Sequence, residues 1–201
     1  MRGRKKSLSL LVFALVAVIA LGVGYAAISA ITLTINGTAH AEGNQDNFIV
    51  EFNDANGKTT ITDSVSGAIA NYDETANSGN KTQAYVDTTN DSTKHTGKFD
   101  LYGFTALNEY ADVTFTVINR SPDLKAKLCS ADIVVTGGSA STFTSTASLP
   151  SATGTPACVE LNANGGETTI VVRTTLNTTP VTTVDANNLQ VQFTAQPVAN
   201  R

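Results

Sequence analysis

Apolar residues recur at every second position through most of this chain, and that period restricts the fold more than any other feature. Ile31, Leu33 and Ile35 alternate with Thr32 and Thr34. Phe48, Val50 and Phe52 alternate with Ile49 and Glu51, and Val113, Phe115 and Val117 with Thr114 and Thr116. Leu189, Val191 and Phe193 repeat the pattern near the C-terminus. A pleated strand sends successive side chains to opposite faces, so each set places one face in a core and leaves the other to water. The thirty threonines of the 201 residues suit the outward positions, because a β-branched side chain is restricted at χ1 in a way strands tolerate. Gly67–Tyr72, Thr82–Val86, Lys98–Phe104, Leu124–Thr136 and Thr168–Leu176 are further strand expectations, and no segment after Ile28 carries a sustained helical stripe.

Turn residues separate these runs. Asn56-Gly57, between Phe52 and Ile61, predicts a type I′ hairpin, and Gly137-Gly138 and Asn164-Gly165-Gly166 predict later turns. Asp87–Gly97 and Gly137–Pro156 read as loops. About ten strands in some 175 residues predict an all-β fold, an antiparallel two-sheet jelly-roll-type β-sandwich, with no internal repeat and no domain linker.

The first residues differ from everything after them. Arg2, Arg4, Lys5 and Lys6 precede Leu10–Ile28, a run of apolar residues and Gly without charge or Pro. This is the pattern of an export leader, a hydrophobic signal helix long enough to reach across a ~30 Å hydrocarbon core. Small residues close the run, and Gly24 and Ala26 fit signal peptidase cleavage between Ala26 and Ala27. Ala39-His40-Ala41 is a second, lower-ranked site. The basic flank directs the remainder to the outside, so the expected product is secreted to the cell surface or beyond, with the membrane met only transiently through the leader. The expected division is 1–26 signal peptide, 27–38 N-terminal strand and 39–201 sandwich.

The composition limits the chemistry available. Without the leader, nine Lys and Arg stand against seventeen Asp and Glu, a balance of −8, which leaves no phosphate-neutralising surplus for nucleic acid. Two Cys and two His complete the short inventory of nucleophilic and metal-ligating groups. In an oxidising exterior, Cys129 and Cys158 are expected to form a structural disulfide; they make neither a CxxC motif nor a four-ligand zinc set. His40 and His95 belong to no catalytic arrangement and read as surface or loop residues. Asn53–Gly57 lacks the spacing and terminal Glu of a calcium loop. Leu149–Gly154 has one residue too many for a sortase signal, and no hydrophobic stretch or basic tail follows it. Sequons stand at Asn36, Asn80, Asn90, Asn119 and Asn177. No catalytic residue, metal or cofactor is expected, and the chain reads as a non-enzyme.

The segment Ile31–Thr38, ITLTINGT, carries the functional expectation. Cleavage before Ala27 makes it a strand joined to the body at one end only. Such a strand either begins its own sheet or pairs with the edge of a neighbour, and the second arrangement, being heterologous, generates filaments.

Several short motifs resemble the TasA/camelysin-like exported proteins. They are the leader end Gly22-Val23-Gly24-Tyr25-Ala26-Ala27, the strand ending Asn36-Gly37-Thr38-Ala39, and Phe99–Phe104 followed by Ala111–Ser121 and Leu124–Leu128. Together they cover about a third of the chain. Leu107-Asn108-Glu109-Tyr110 stands where that family commonly has a Pro-Gly-Asp turn, and the cysteine pair is not among the family's expected features. The resemblance implies a jelly-roll subunit that polymerises into extracellular fibres of a biofilm matrix or into pilus-like filaments. Its donor strand would be 27–38, inserting Ile31, Leu33 and Ile35, and its partners would be copies of itself and, during export, a signal peptidase. The other expectation is a monomeric or membrane-anchored surface domain that binds a ligand or glycan.

Overall fold

A computed structural model describes residues 47–73, 80–138 and 141–198. The expected signal helix and donor strand lie outside the described residues. Asp46–Arg201 forms a compact unit, all-β and wholly antiparallel. Twelve strands are described: β1 Val50–Phe52, β2 Thr59–Asp63, β3 Gln83–Val86, β4 Thr96–Phe104, β5 Tyr110–Asn119, β6 Lys125–Cys129, β7 Ile133–Thr136, β8 Phe143–Ser148, β9 Cys158–Leu161, β10 Gly166–Leu176, β11 Val184–Phe193 and β12 Gln196–Val198.

The larger sheet runs β1-β5-β10-β8, with β2 also on β5. Its centre is the unbroken ten-residue register of β5 against β10, from Asn119↔Gly166 to Tyr110↔Thr175. The second sheet is β3-β4-β11-β7 and the third, smaller one is β12-β6-β9. Alternation explains which side of each strand is buried. On β5, Ala111, Val113, Phe115 and Val117 are buried; on β10, Thr168, Ile170, Val172, Thr174 and Leu176 are. The outer face between them carries Thr114, Thr116, Thr169 and Thr175 and is crossed by Arg173, whose guanidinium grips Asp112 through two hydrogen bonds (2.8 and 2.7 Å) and lies 4.0 Å over the Tyr110 ring.

Aromatic contacts join the two larger sheets into a sandwich. Phe52 of the first sheet meets Phe193 of the second edge-on at 4.8 Å, Phe115 meets Phe99 at 6.1 Å, and Phe143 meets Phe104 at 4.9 Å. Burial of each such ring contributes about 2–3 kcal/mol. The third sheet adds Ala126, Leu128 and Leu161 to the same core.

Asn119, fully buried at the end of β5, ties the third sheet to the first. Its amide donates to the carbonyls of Leu124, Leu161 and Asn162, and its Oδ1 accepts from Ser121 N–H. This sequon is therefore a buried structural amide.

The structure departs from five sequence expectations, the first being the two-sheet count, because β12-β6-β9 forms a third sheet on the same core. Gly67–Tyr72 is not a strand: it belongs to a run of turns wound around Asp63. The Asp63 carboxylate accepts backbone N–H groups from Val65 and Gly67 on one oxygen and from Ile69 and Ala70 on the other, at 2.6–3.1 Å. Those local bonds take the donors a strand ladder would have used, and they drop Ile69 into the core.

Leu124–Thr136 is two strands in different sheets, β6 and β7, parted by a 3₁₀ turn at Ser130–Asp132. The expected loop 137–156 contains β8, whose Thr and Ser residues hide the alternation.

The Asn56-Gly57 turn forms, closed by Lys58 N–H on Ala55 C=O, but φ is positive at Gly57 alone and the flanking strands do not pair. Both β1 and β2 pair with β5, Phe52 opposite Val117 and Thr59 opposite Phe115. Residues 54–57 are thus an excursion from one edge strand, pinned at Thr116, which accepts from Asn53 N–H and donates to Lys58 C=O.

Burial raises the pKa of Asp63, but the four N–H donors outweigh it and hold the carboxyl below its usual range. Replacing Asp63 with Asn, which keeps one acceptor oxygen, is expected to lower unfolding free energy by about 2 kcal/mol, and Asp63→Ala by more, in urea titrations at pH 7. Equal stability of all three chains would contradict this assignment of the turn.

Candidate functional site

The residues expected to act in assembly, Ile31, Leu33 and Ile35, and the cleavage pair Ala26 and Ala27, lie outside the described residues. The complementary part of such a site is a strand edge of the body.

Hydrogen-bond parity shows which way each edge points. In an antiparallel ladder, alternate residues exchange both backbone bonds with the partner strand, and those between direct N–H and C=O away from it. On β1, Val50 and Phe52 point outward, and both are met: Phe52 N–H donates to Lys94 C=O (2.8 Å), and His95 Nε2 lies 2.7 Å from Val50 C=O. His95 lies in a loop, half-buried with its ring against Phe193, and from there it closes the edge of β1.

Two carboxylates shape the loop that delivers these groups. Asp87, 4% exposed, accepts from Thr89 and Asn90 N–H, from the Asn90 amide and from Lys98 Nζ at 2.6 Å. Asp91 accepts from the N–H groups of Thr93 and His95. The Asn90 sequon side chain is thereby engaged within the loop.

Four other edges, those of β2, β3, β7 and β8, meet no partner strand among the described residues. Asp87 N–H donates to Thr96 C=O, so on β3 the residues facing away from β4 are Ala84 and Val86. Thr116 N–H to Lys58 C=O and Ser64 N–H to Tyr110 C=O likewise leave Thr59 and Ile61 of β2 facing away from β5. The same parity, from Thr194 N–H on Asp132 C=O, turns Ile133 and Val135 of β7 outward; Asn177 N–H on Thr142 C=O does so for Ser145 and Ala147 of β8. At the corner where β2 and β3 run side by side, a groove of about 390 Å³ opens between the 54–57 excursion and β3.

The expected disulfide is present. Cys129 and Cys158 are directly opposed on β6 and β9, at a position where the ladder makes no backbone bond, since Ser130 N–H to Ala157 C=O sets the parity. Side chains approach most closely at such pairs. Closing a loop of 29-residue separation contributes about 3–4 kcal/mol in the chain-entropy account. The bridge fixes the chain where β6 ends and β7 departs for another sheet. Among the described residues, no three His, Cys, Asp or Glu side chains gather where they could hold a metal. The chain matches no protein-family model, no curated protein and no solved structure.

The Lys98 ammonium and the loop N–H groups hold the Asp87 pKa down at about 2. A depressed carboxyl stabilises the fold above its unfolded value, near 3.9, and loses that contribution as pH falls toward about 2. Wild type is therefore expected to exceed Asp87→Asn in stability by a constant margin above pH 5, with the margin shrinking from about pH 4 to 2. A margin unchanged across that range in urea titrations would contradict the assignment.

Proposed function

We propose that this chain is a structural subunit of an extracellular filament, a biofilm-matrix fibre or pilus-like assembly. The leader forms a signal helix that is removed between Ala26 and Ala27 by a signal peptidase, and the released subunit meets the membrane only during export. The body is a sandwich of jelly-roll type. The freed segment 27–38 is donated to the next copy, with Ile31, Leu33 and Ile35 as the inserted side chains. The observation that carries this reading is a mismatch of edges. A strand-patterned arm precedes a body that closes β1 with its own loop yet leaves the edges of β2, β3, β7 and β8 without partners among the described residues. Donation satisfies such an edge and, being head-to-tail, propagates without closing. The cross-strand disulfide supports life in an oxidising exterior.

Negative-stain electron microscopy of the purified chain beginning at Ala27, beside one beginning at Ala39, tests the reading at equal concentration under oxidising conditions. Filaments are expected from the longer chain only. Filaments from both, or monodisperse particles from both, would overturn it.

A further inference from the structure

We infer that the corner between β2 and β3 is the docking groove for the strand Ile31–Thr38, supplied by a second copy of this chain; the second copy as supplier rests on the filament reading above. Ala84 and Val86 offer two N–H donors and two C=O acceptors to an added strand, facing away from β4. Their side chains point to the core side, where Val86 is buried and Ala84 is half-buried against the hydrophobic core. A strand paired with β3 brings its own alternate side chains onto that same inner side. Ile31, Leu33 and Ile35 have the required spacing, and Thr32 and Thr34 would fall outward. The groove beside β3, bounded by Asp54, Gly57 and Thr59, supplies the room, and Ala84 contributes only a methyl group to filling it.

Two other edges fit less well. The Lys94 carbonyl and His95 ring occupy β1. At β8 the chain folds inward at its end: Leu149 is 5% exposed, and Ser151 is hydrogen-bonded to Thr168 on the inner face of β10. Ile49 is held by Ser121 Oγ and Arg120 N–H at the Asn119 end of β5, next to the closed edge of β1. The eight residues 39–46 between Thr38 and the described body can span up to about 28 Å, enough to carry the strand clear of its own β1.

The test uses isotope-labelled chain beginning at Ala39, which retains every residue of the described core from Val50 to Phe193, and a synthetic peptide of residues Ile31–Thr38. Titration followed by amide NMR is expected to show saturable shifts centred on Ala84 and Val86. Ala84→Pro removes only the outward N–H and leaves the β4 ladder whole, so it should retain the thermal midpoint while weakening binding about tenfold or more. A peptide with Leu33→Asp should weaken binding similarly on the unmutated chain, a comparison that does not depend on how well the proline variant folds. Shifts centred on Ile133 and Val135, or on Ser145 and Ala147, would overturn the assignment, as would no saturable binding. Peptide capture at β3 by a chain that never forms filaments would uphold this groove while removing the filament reading. Filaments whose strand peptide maps to another edge would do the reverse.

Discussion

Phe115 is the residue about which the two larger sheets are spaced. It lies at the middle of β5, its ring 5.2 Å from Phe52 within the first sheet and 6.1 Å from Phe99 in the second. Gly97 on β4 makes the approach possible, since a Cβ there would stand 2.7 Å from the Phe115 ring. Strand β5 is also the strand on which β1, β2 and β10 all align, so the direction of Phe115 fixes the inward face of half the molecule. A slip of one residue would send Phe115 outward with Val113 and Val117 and bring Thr114 and Thr116 into the core, which is why the register admits no near alternative.

Around that core, carboxylates do for irregular backbone what ladders do for strands. Asp63 satisfies four N–H groups in the turns after β2, and Asp87 and Asp91 organise the loop that covers β1. Soluble β-proteins commonly blunt their edges with Lys, Pro or covering segments. Here the covering is selective. The loop 87–95 covers β1, whereas β3 (QAYV) and β7 (IVVT) carry neither Lys nor Pro. Among the described residues, that selectivity connects packing to function in the filament reading, because an edge without a partner strand is a place for another strand to add.

Strands with one strongly apolar face were legible from sequence. β4, β5, β10 and β11 fall where Lys98–Phe104, Val113–Val117, Thr168–Leu176 and Leu189–Phe193 alternate, and the cysteine pair reads directly as a disulfide. The misreadings have tertiary causes. Thr144, Thr146 and Ser148 make β8 look like a polar loop because its inner face, Phe143, Ser145 and Ala147, is only weakly apolar. Nothing local in Leu124–Thr136 announces that its two halves serve different sheets; that follows from the 3₁₀ turn beside Cys129. At Asn56-Gly57 the turn's position was right and its type and pairing wrong, since φ is positive at Gly57 alone and β5 is long enough to take both flanking strands on one edge. The candidate site was legible only by half: the arm is visible as a pattern, but which edges remain open depends on hydrogen-bond parity and on a loop folding over β1.

A cryo-electron microscopy reconstruction of filaments grown from the chain beginning at Ala27 tests strand donation most directly. The account predicts an additional strand, sequence-assignable to Ile31–Thr38, paired along the sandwich of one subunit and traceable into the body of the next. Filaments in which that segment pairs only within its own subunit, or in which contacts between subunits involve no added strand, would contradict it.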